Sequence, residues 1–125
     1  MRFREMVAVA VGGAVGTLTR VGALEATEHL AHGALIATLV ANTLGALGLA
    51  FVLSRGLPEF PSWLRPGITV GFFGSYTTFS AVALIAVTET MALGLGYLAV
   101  TLVAGVVGVL IGRALGSLAR GGARS

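Results

Sequence analysis

Charged residues are sparse along this chain, and long uncharged apolar intervals lie between them. Gly33–Ser54 runs between His32 and Arg55, Pro66–Thr88 between Arg65 and Glu89, and Thr90–Gly112 between Glu89 and Arg113. A fourth interval, Met6–Thr19, is followed by Arg20 and an apolar continuation to Leu24. A helix needs about 20 mainly apolar residues to cross roughly 30 Å of hydrocarbon. The pattern therefore predicts an all-α membrane protein with four transmembrane helices, over about 4–24, 33–54, 64–88 and 91–116, forming a single domain of residues 1–125. A cleaved signal peptide competes for the first span, because Arg2 and Arg4 precede a short apolar run with small residues near Ala14. Retention is the preferred reading, since Gly12 and Gly16 are spaced to let another helix approach closely.

Punctuation supports this division. Residues 55–66 hold all three prolines and the only tryptophan, Trp63, which fits a loop with an aromatic anchor at headgroup depth. The last two spans are separated by Glu89, so their connection must be tight, with Gly94 and Gly96 as turn or helix-start residues. Gly105, Gly108, Gly112 and Gly116 lie mostly on one face of the last span and read as packing. The small, basic tail is expected to fray after Leu118.

Composition sharpens the class. The chain is 56% apolar, with 19 Gly and 10% charged residues, and a soluble domain would carry about a quarter charged residues. Its basic residues are eight Arg, scattered singly between apolar runs, which is not the clustered polar face of a nucleic-acid binder. Cysteine is absent, so disulfides, thiolate metal sites and cysteine nucleophiles are excluded together. No phosphate loop, paired carboxylates or nucleophile beside a base is present, so an enzyme is not expected. Glu25, Glu28, His29 and His32 read as a solvated connection rather than a metal site.

Polar side chains inside the spans are few, and in hydrocarbon each needs a partner or a wet path. Asn42, the only Asn in a chain without Gln, falls near the middle of the second span. It reads either as a helix-to-helix hydrogen bond or as a ligand-facing amide. Arg20 is embedded in apolar sequence; it either snorkels to the interface or attracts anions to a vestibule. The third span is the most unusual, with Gly71, Gly74, four aromatics (Phe72, Phe73, Tyr76, Phe79) and hydroxyls at Ser75, Thr77, Thr78 and Ser80. Such a stretch suits a helix broken near its centre, with hydroxyls satisfying the freed backbone and exposed carbonyls able to coordinate a small cation. The ring of Phe79 has a positive edge, and with an Asn amide and hydroxyls it would stabilise a small anion that sheds water. Tyr97 and Thr101, four residues apart on the fourth span, would continue that track.

Three stretches together resemble the Fluc (CrcB) family of fluoride channels: residues 12–20 (GGAVGTLTR), 41–45 (ANTLG) and 71–80 (GFFGSYTTFS). The resemblance implies a passive, fluoride-specific ion channel that exports fluoride from the cytoplasm and so reduces its toxicity. It implies an antiparallel dimer with two pores and a structural, untransported sodium ion at its centre, held by the backbone carbonyls of Gly74 and Thr77. Asn42 and Phe79 would be pore residues, with Thr78 and Ser80 in the same motif, Tyr97 and Thr101 on the polar track, and Arg20 at the vestibule. One departure stands out: Val82 occupies the place of the family's second pore phenylalanine.

With four spans, Arg2, Arg4, Arg55, Arg65, Arg113, Arg120 and Arg124 share one side and Arg20 alone lies on the other. Cytoplasmic loops collect arginine, so both termini are expected in the cytoplasm, with the chain in the cell membrane in one fixed orientation. That bias and Val82 raise an alternative, a partner subunit of a heterodimeric fluoride channel in which a homologous subunit lies antiparallel. Two further alternatives are a proton-coupled exporter resembling the small multidrug resistance proteins and an assembly subunit of a larger membrane complex. The exporter would need a deep carboxylate in the first span, where the only nearby acid is Glu5 at its start.

Overall fold

The computed structural model of the protein describes residues 2–30 and 32–124, with side chains described through residue 121. The chain is helical: α1 is Phe3–Thr27, α2 is Gly33–Arg55, a π-helical segment covers Gly67–Phe73, and α3 is the single turn Gly74–Tyr76. After two non-helical residues come α4, Phe79–Thr88, and α5, Met91–Arg124. Four helical stretches are long and apolar enough to cross a membrane: Phe3–Thr27, Gly33–Arg55, Gly67–Thr88 and Met91–Gly121. This is a multi-pass membrane protein.

Much of its interior is made of small side chains, beside one cluster of Val82, Ile85 and Tyr97. Ala8, Ala37, Ala41 and Ala50 are buried, whereas Leu18, Leu53, Leu102 and Leu118 face outward. That is the reverse of a water-soluble domain, and it follows from the solvent: lipid is as apolar as leucine, so close backbone packing replaces hydrophobic burial as the force between helices. Two such pairings organise the chain. Gly12 and Gly16 of α1 lie against the third span, where a Cβ on either would collide with the carbonyls of Gly67 and Phe72. In α5, Gly108, Gly112 and Gly116 lie against α2, and a Cβ at Gly112 would strike the Leu47 carbonyl; Gly105 has open space instead.

A π turn closes its hydrogen bonds one residue later than an α turn, so residues four to five apart share a face. In the π segment this sets Gly67 and Gly71, both buried, against the α1 backbone at Ala8 and Val9. The loop between α2 and the third span begins at Gly56, whose φ of 81° suits a residue without Cβ. Between α4 and α5 the turn is made by Glu89 and Thr90, and Thr90 Oγ1 accepts from the Leu93 N–H at 3.3 Å. Gly94 then lies in the first turn of α5, close against Ala86 of α4.

The expectation that the tail frays after Leu118 is corrected, because α5 continues to Arg124. Gly116 is held against Phe51, Ser54 and Arg55 at the end of α2, and the following Leu118, Ala119 and Arg120 are all strong helix formers.

Candidate functional site

Midway along the third span, helical hydrogen bonding stops and restarts. Thr77 (φ −83°, ψ 154°) and Thr78 (φ −149°, ψ 124°) are extended between α3 and α4. Thr77 still closes the preceding turn, and the backbone of Thr78 takes its partners from side chains. Thr77 donates its N–H to the Phe73 carbonyl at 3.1 Å and its Oγ1–H to the same oxygen at 2.9 Å. Thr78 caps α4, its Oγ1 accepting from the Ala81 N–H at 3.3 Å and lying 3.1 Å from Ser80 Oγ.

Asn42 completes the arrangement from α2. Its Oδ1 accepts from the Thr78 N–H at 2.7 Å, and its Nδ2 donates to the Thr78 carbonyl at 2.9 Å. One amide thus pairs with both polar groups of a single residue, an exact match to what an interrupted helix leaves over inside hydrocarbon. The pairing has a further effect. In an unbroken helix the N–H groups of Thr78 and Ala81 would bond the carbonyls of Gly74 and Thr77. Here they are spent on the side chains of Asn42 and Thr78. The Gly74 and Thr77 carbonyls are thereby released from the helix ladder, and beyond its chain neighbours and its own helix backbone nothing described lies within 4 Å of where a Cβ would stand on Gly74.

Asn42 also lines two cavities. The first, about 240 Å³, is bounded by Asn42, Thr77, Thr78, Phe79, Val82, Leu98, Thr101 and Leu102. The second, about 440 Å³, shares Asn42, Thr101 and Leu102 and continues along α5 past Gly105 and Val109. Both walls are chiefly apolar, with Asn42, Thr101 and Leu102 common to the two. Thr101 Oγ1 is buried and has no hydrogen-bond partner among the described residues. Asn42 has a second N–H beyond the one given to Thr78.

Phe79 begins α4 and is 78% exposed, its ring on the rim of the first cavity. Arg20 lies elsewhere, half-buried, its Nε donating to the Ser75 carbonyl at 3.2 Å. A cation is well placed there, because the carbonyls at the end of the α3 segment carry partial negative charge. Tyr97 is buried with Val82 and Ile85, and its hydroxyl donates to the Leu35 carbonyl at 2.9 Å. It is committed to that helix contact, and neither it nor Ser80 lines the two cavities.

Among the expected site residues, Asn42, Thr77, Thr78, Phe79 and Thr101 therefore converge on one cavity, Ser80 supports it through Thr78, and Arg20 and Tyr97 stand apart. The Ser75 carbonyl that receives Arg20 has no signature in the sequence, because every residue carries one. No group of three or more acidic or histidine side chains that could hold a metal occurs among the described residues.

Comparison with known proteins places this chain in a family. A sequence model described as "CrcB-like protein, Camphor Resistance (CrcB)" matches residues 7–113, a range containing every residue of the site. The chain belongs to the CrcB family. A curated CrcB relative from Symbiobacterium thermophilum, "Fluoride-specific ion channel FluC 2", is 38% identical over 120 residues, covering 88% of this chain and 95% of that protein. A "Fluoride-specific ion channel FluC" from Pseudomonas fluorescens is 35% identical over 120 residues, covering 90% and 97%. Another of the same name, from Azotobacter vinelandii, is 40% identical over 80 residues, covering 62% and 64%. No solved structure matches the chain. CrcB relatives of this kind are ion channels and not enzymes, in agreement with the absence of catalytic motifs.

Proposed function

We propose that this protein is a fluoride-specific channel that lets fluoride leave the cytoplasm passively. The observation that carries the reading is the cavity lined by Asn42, Thr78, Phe79 and Thr101 beside the interruption of the third span, in a chain whose relatives are named fluoride-specific channels. Fluoride is small and strongly hydrated, so a path must replace its water with several donors. It must also avoid a fixed cation that would hold the ion too tightly. Asn42 Nδ2–H, Thr101 Oγ1–H and the positive edge of Phe79 are donors of that kind. The apolar side chains between them exclude competing water, while Thr78 and Ser80 hold the frame and Arg20 raises the local anion concentration at a vestibule.

The exposed Phe79 rim and the open surface at Gly74 suit coverage by a second, antiparallel copy. Each copy would then bring its Gly74 and Thr77 carbonyls to the centre. Carbonyl oxygens are hard ligands, and these two have been released from helical bonding, which fits a small monovalent cation such as sodium. The ion would be structural, tying the two broken helices together.

The test is a fluoride-electrode measurement on liposomes containing the purified chain alone. Fluoride should leave and chloride should stay; efflux no faster than from protein-free liposomes would overturn self-paired conduction. A second reading is favoured by two observations. The arginines divide seven to one, and Val82, 2% exposed and on the cavity wall, provides no ring edge. In that reading the chain conducts only beside a different homologous subunit of opposite orientation. It predicts silence alone and efflux on co-reconstitution with such a subunit.

A further inference from the structure

At the end of the molecule that holds both termini, a cavity of about 450 Å³ is lined by Arg55, Arg65 and Arg120 together with Leu53, Gly56, Leu57 and Pro58. Three guanidinium groups around one concavity need a reason in a chain with only eight cationic side chains. The fold assembles them from three elements. Arg55 ends α2, Arg65 stands just before the third span, and Arg120 belongs to α5. The close approach of Gly116 to Ser54 and Arg55 carries Arg120, one helical turn later, over the end of α2.

Their charges are unequally used. Arg55 Nη1 pairs with Glu59 at 2.7 Å. The Glu59 carboxyl is held below its usual range by its own backbone N–H and by Arg55, so that pair is neutral in sum. Among the described residues Arg65 gives only its Nε–H, to the Leu57 carbonyl at 3.1 Å, which orients the guanidinium and leaves its two Nη groups available. Arg120 is exposed and has no hydrogen bond to another described residue. Two uncompensated guanidinium groups therefore remain, each able to grip a phosphate through paired N–H bonds.

We propose that this cavity binds the headgroup of an anionic phospholipid in the leaflet facing the termini. The inference rests on the membrane-spanning fold and not on the conducted ion. Its position favours a lipid over free phosphate. α5 has 34 residues and so is about 51 Å long, well beyond the roughly 30 Å of hydrocarbon, which leaves its last turns among the headgroups. Leu53, 67% exposed beside the arginines, offers an apolar surface for an acyl chain, and Trp63 and Phe60 in the same loop mark the interface. Basic pockets between spans on this side of a membrane suit such headgroups.

The test is native mass spectrometry of the full-length protein released from micelles containing phosphatidylglycerol and phosphatidylcholine in equal amounts. Wild-type protein should retain phosphatidylglycerol preferentially, and Arg120→Gln should lower that preference roughly fivefold, with Arg65→Gln lowering it similarly. Arg4→Gln, on the same side but outside the cavity, should leave it unchanged. An exposed Arg120 makes its replacement safe for folding, which an unaltered gel-filtration profile would verify. Equal lipid preference in wild type and Arg120→Gln would overturn the proposal, as would an equal loss in Arg4→Gln, which signals diffuse surface charge. Displacement of the lipid by millimolar inorganic phosphate would also overturn it, reassigning the cavity to the free anion.

Discussion

Asn42 carries two demands that a single amide rarely meets together. It satisfies the interrupted backbone at Thr78 and still presents a donor to the cavities. Asn42→Asp keeps the acceptor for the Thr78 N–H but loses the donor and adds negative charge on the path of an anion. The expected outcome is loss of fluoride efflux with an intact fold, checked by electrode and gel filtration. Asn42→Ala removes both bonds and leaves buried backbone groups unpaired at a cost of about 1–3 kcal/mol each, so a lower melting temperature is expected as well. Phe79 is exposed and stabilises nothing in the single chain, so Phe79→Ile should leave the fold alone. Its removal of a ring edge should slow efflux by about tenfold, the equivalent of roughly 1.4 kcal/mol in the barrier. The richness of hydroxyls and aromatics in residues 71–80 was legible without coordinates. The partner of each hydroxyl was not, because Thr78 and Asn42 are 36 residues apart and meet only through packing of α2 on the third span.

The number and order of helices long enough to cross a membrane could be read from charge spacing because the bilayer sets a minimum apolar length for every span, whereas the extension of α5 to Arg124 could not. The π-helical run Gly67–Phe73 could not be read, since nothing in a glycine pair separates a π face from an α face until a neighbour selects the register. The glycine faces were legible as packing surfaces, but the pairing of α1 with the third span and of α5 with α2 is a tertiary choice. It has a measurable consequence. Gly112→Leu should force α5 away from the Leu47 carbonyl, destabilise the pair by roughly 1–3 kcal/mol and widen the cavities walled by Thr101 and Leu102. Thermal unfolding in detergent should register the loss, whereas Gly105→Leu, facing open space, should be neutral in the isolated chain.

Charge asymmetry acts on the molecule as a unit. Six described-side-chain arginines, with Arg124 beyond the described side chains, lie with the termini against Arg20 on the other side, and insertion follows such a bias. The expectation is a single orientation with both termini cytoplasmic. Single cysteines at Glu28 and at Ser125, which lies outside the described residues, should label from opposite sides of intact cells, and labelling of both from one side would refute it. Labelling of each cysteine from both sides would instead reveal the mixed orientations that an antiparallel pair of identical chains requires, and a single orientation would favour a different homologous mate. The liposome experiment with the chain alone therefore bears on assembly as much as on conduction.

Membrane residence and four apolar stretches long enough to span were written in the order of residues, because hydrocarbon penalises charge and unpaired backbone locally, position by position. Folding added the relations between distant residues. Asn42 on Thr78, Arg20 on Ser75, Tyr97 committed to Leu35, and the gathering of Arg55, Arg65 and Arg120 each join segments far apart in the chain. Hydrogen bonds and close packing act over a few ångströms in space without regard to sequence separation. A lone polar residue in a span thus announces that a partner is needed, and the packed helices determine which one it finds.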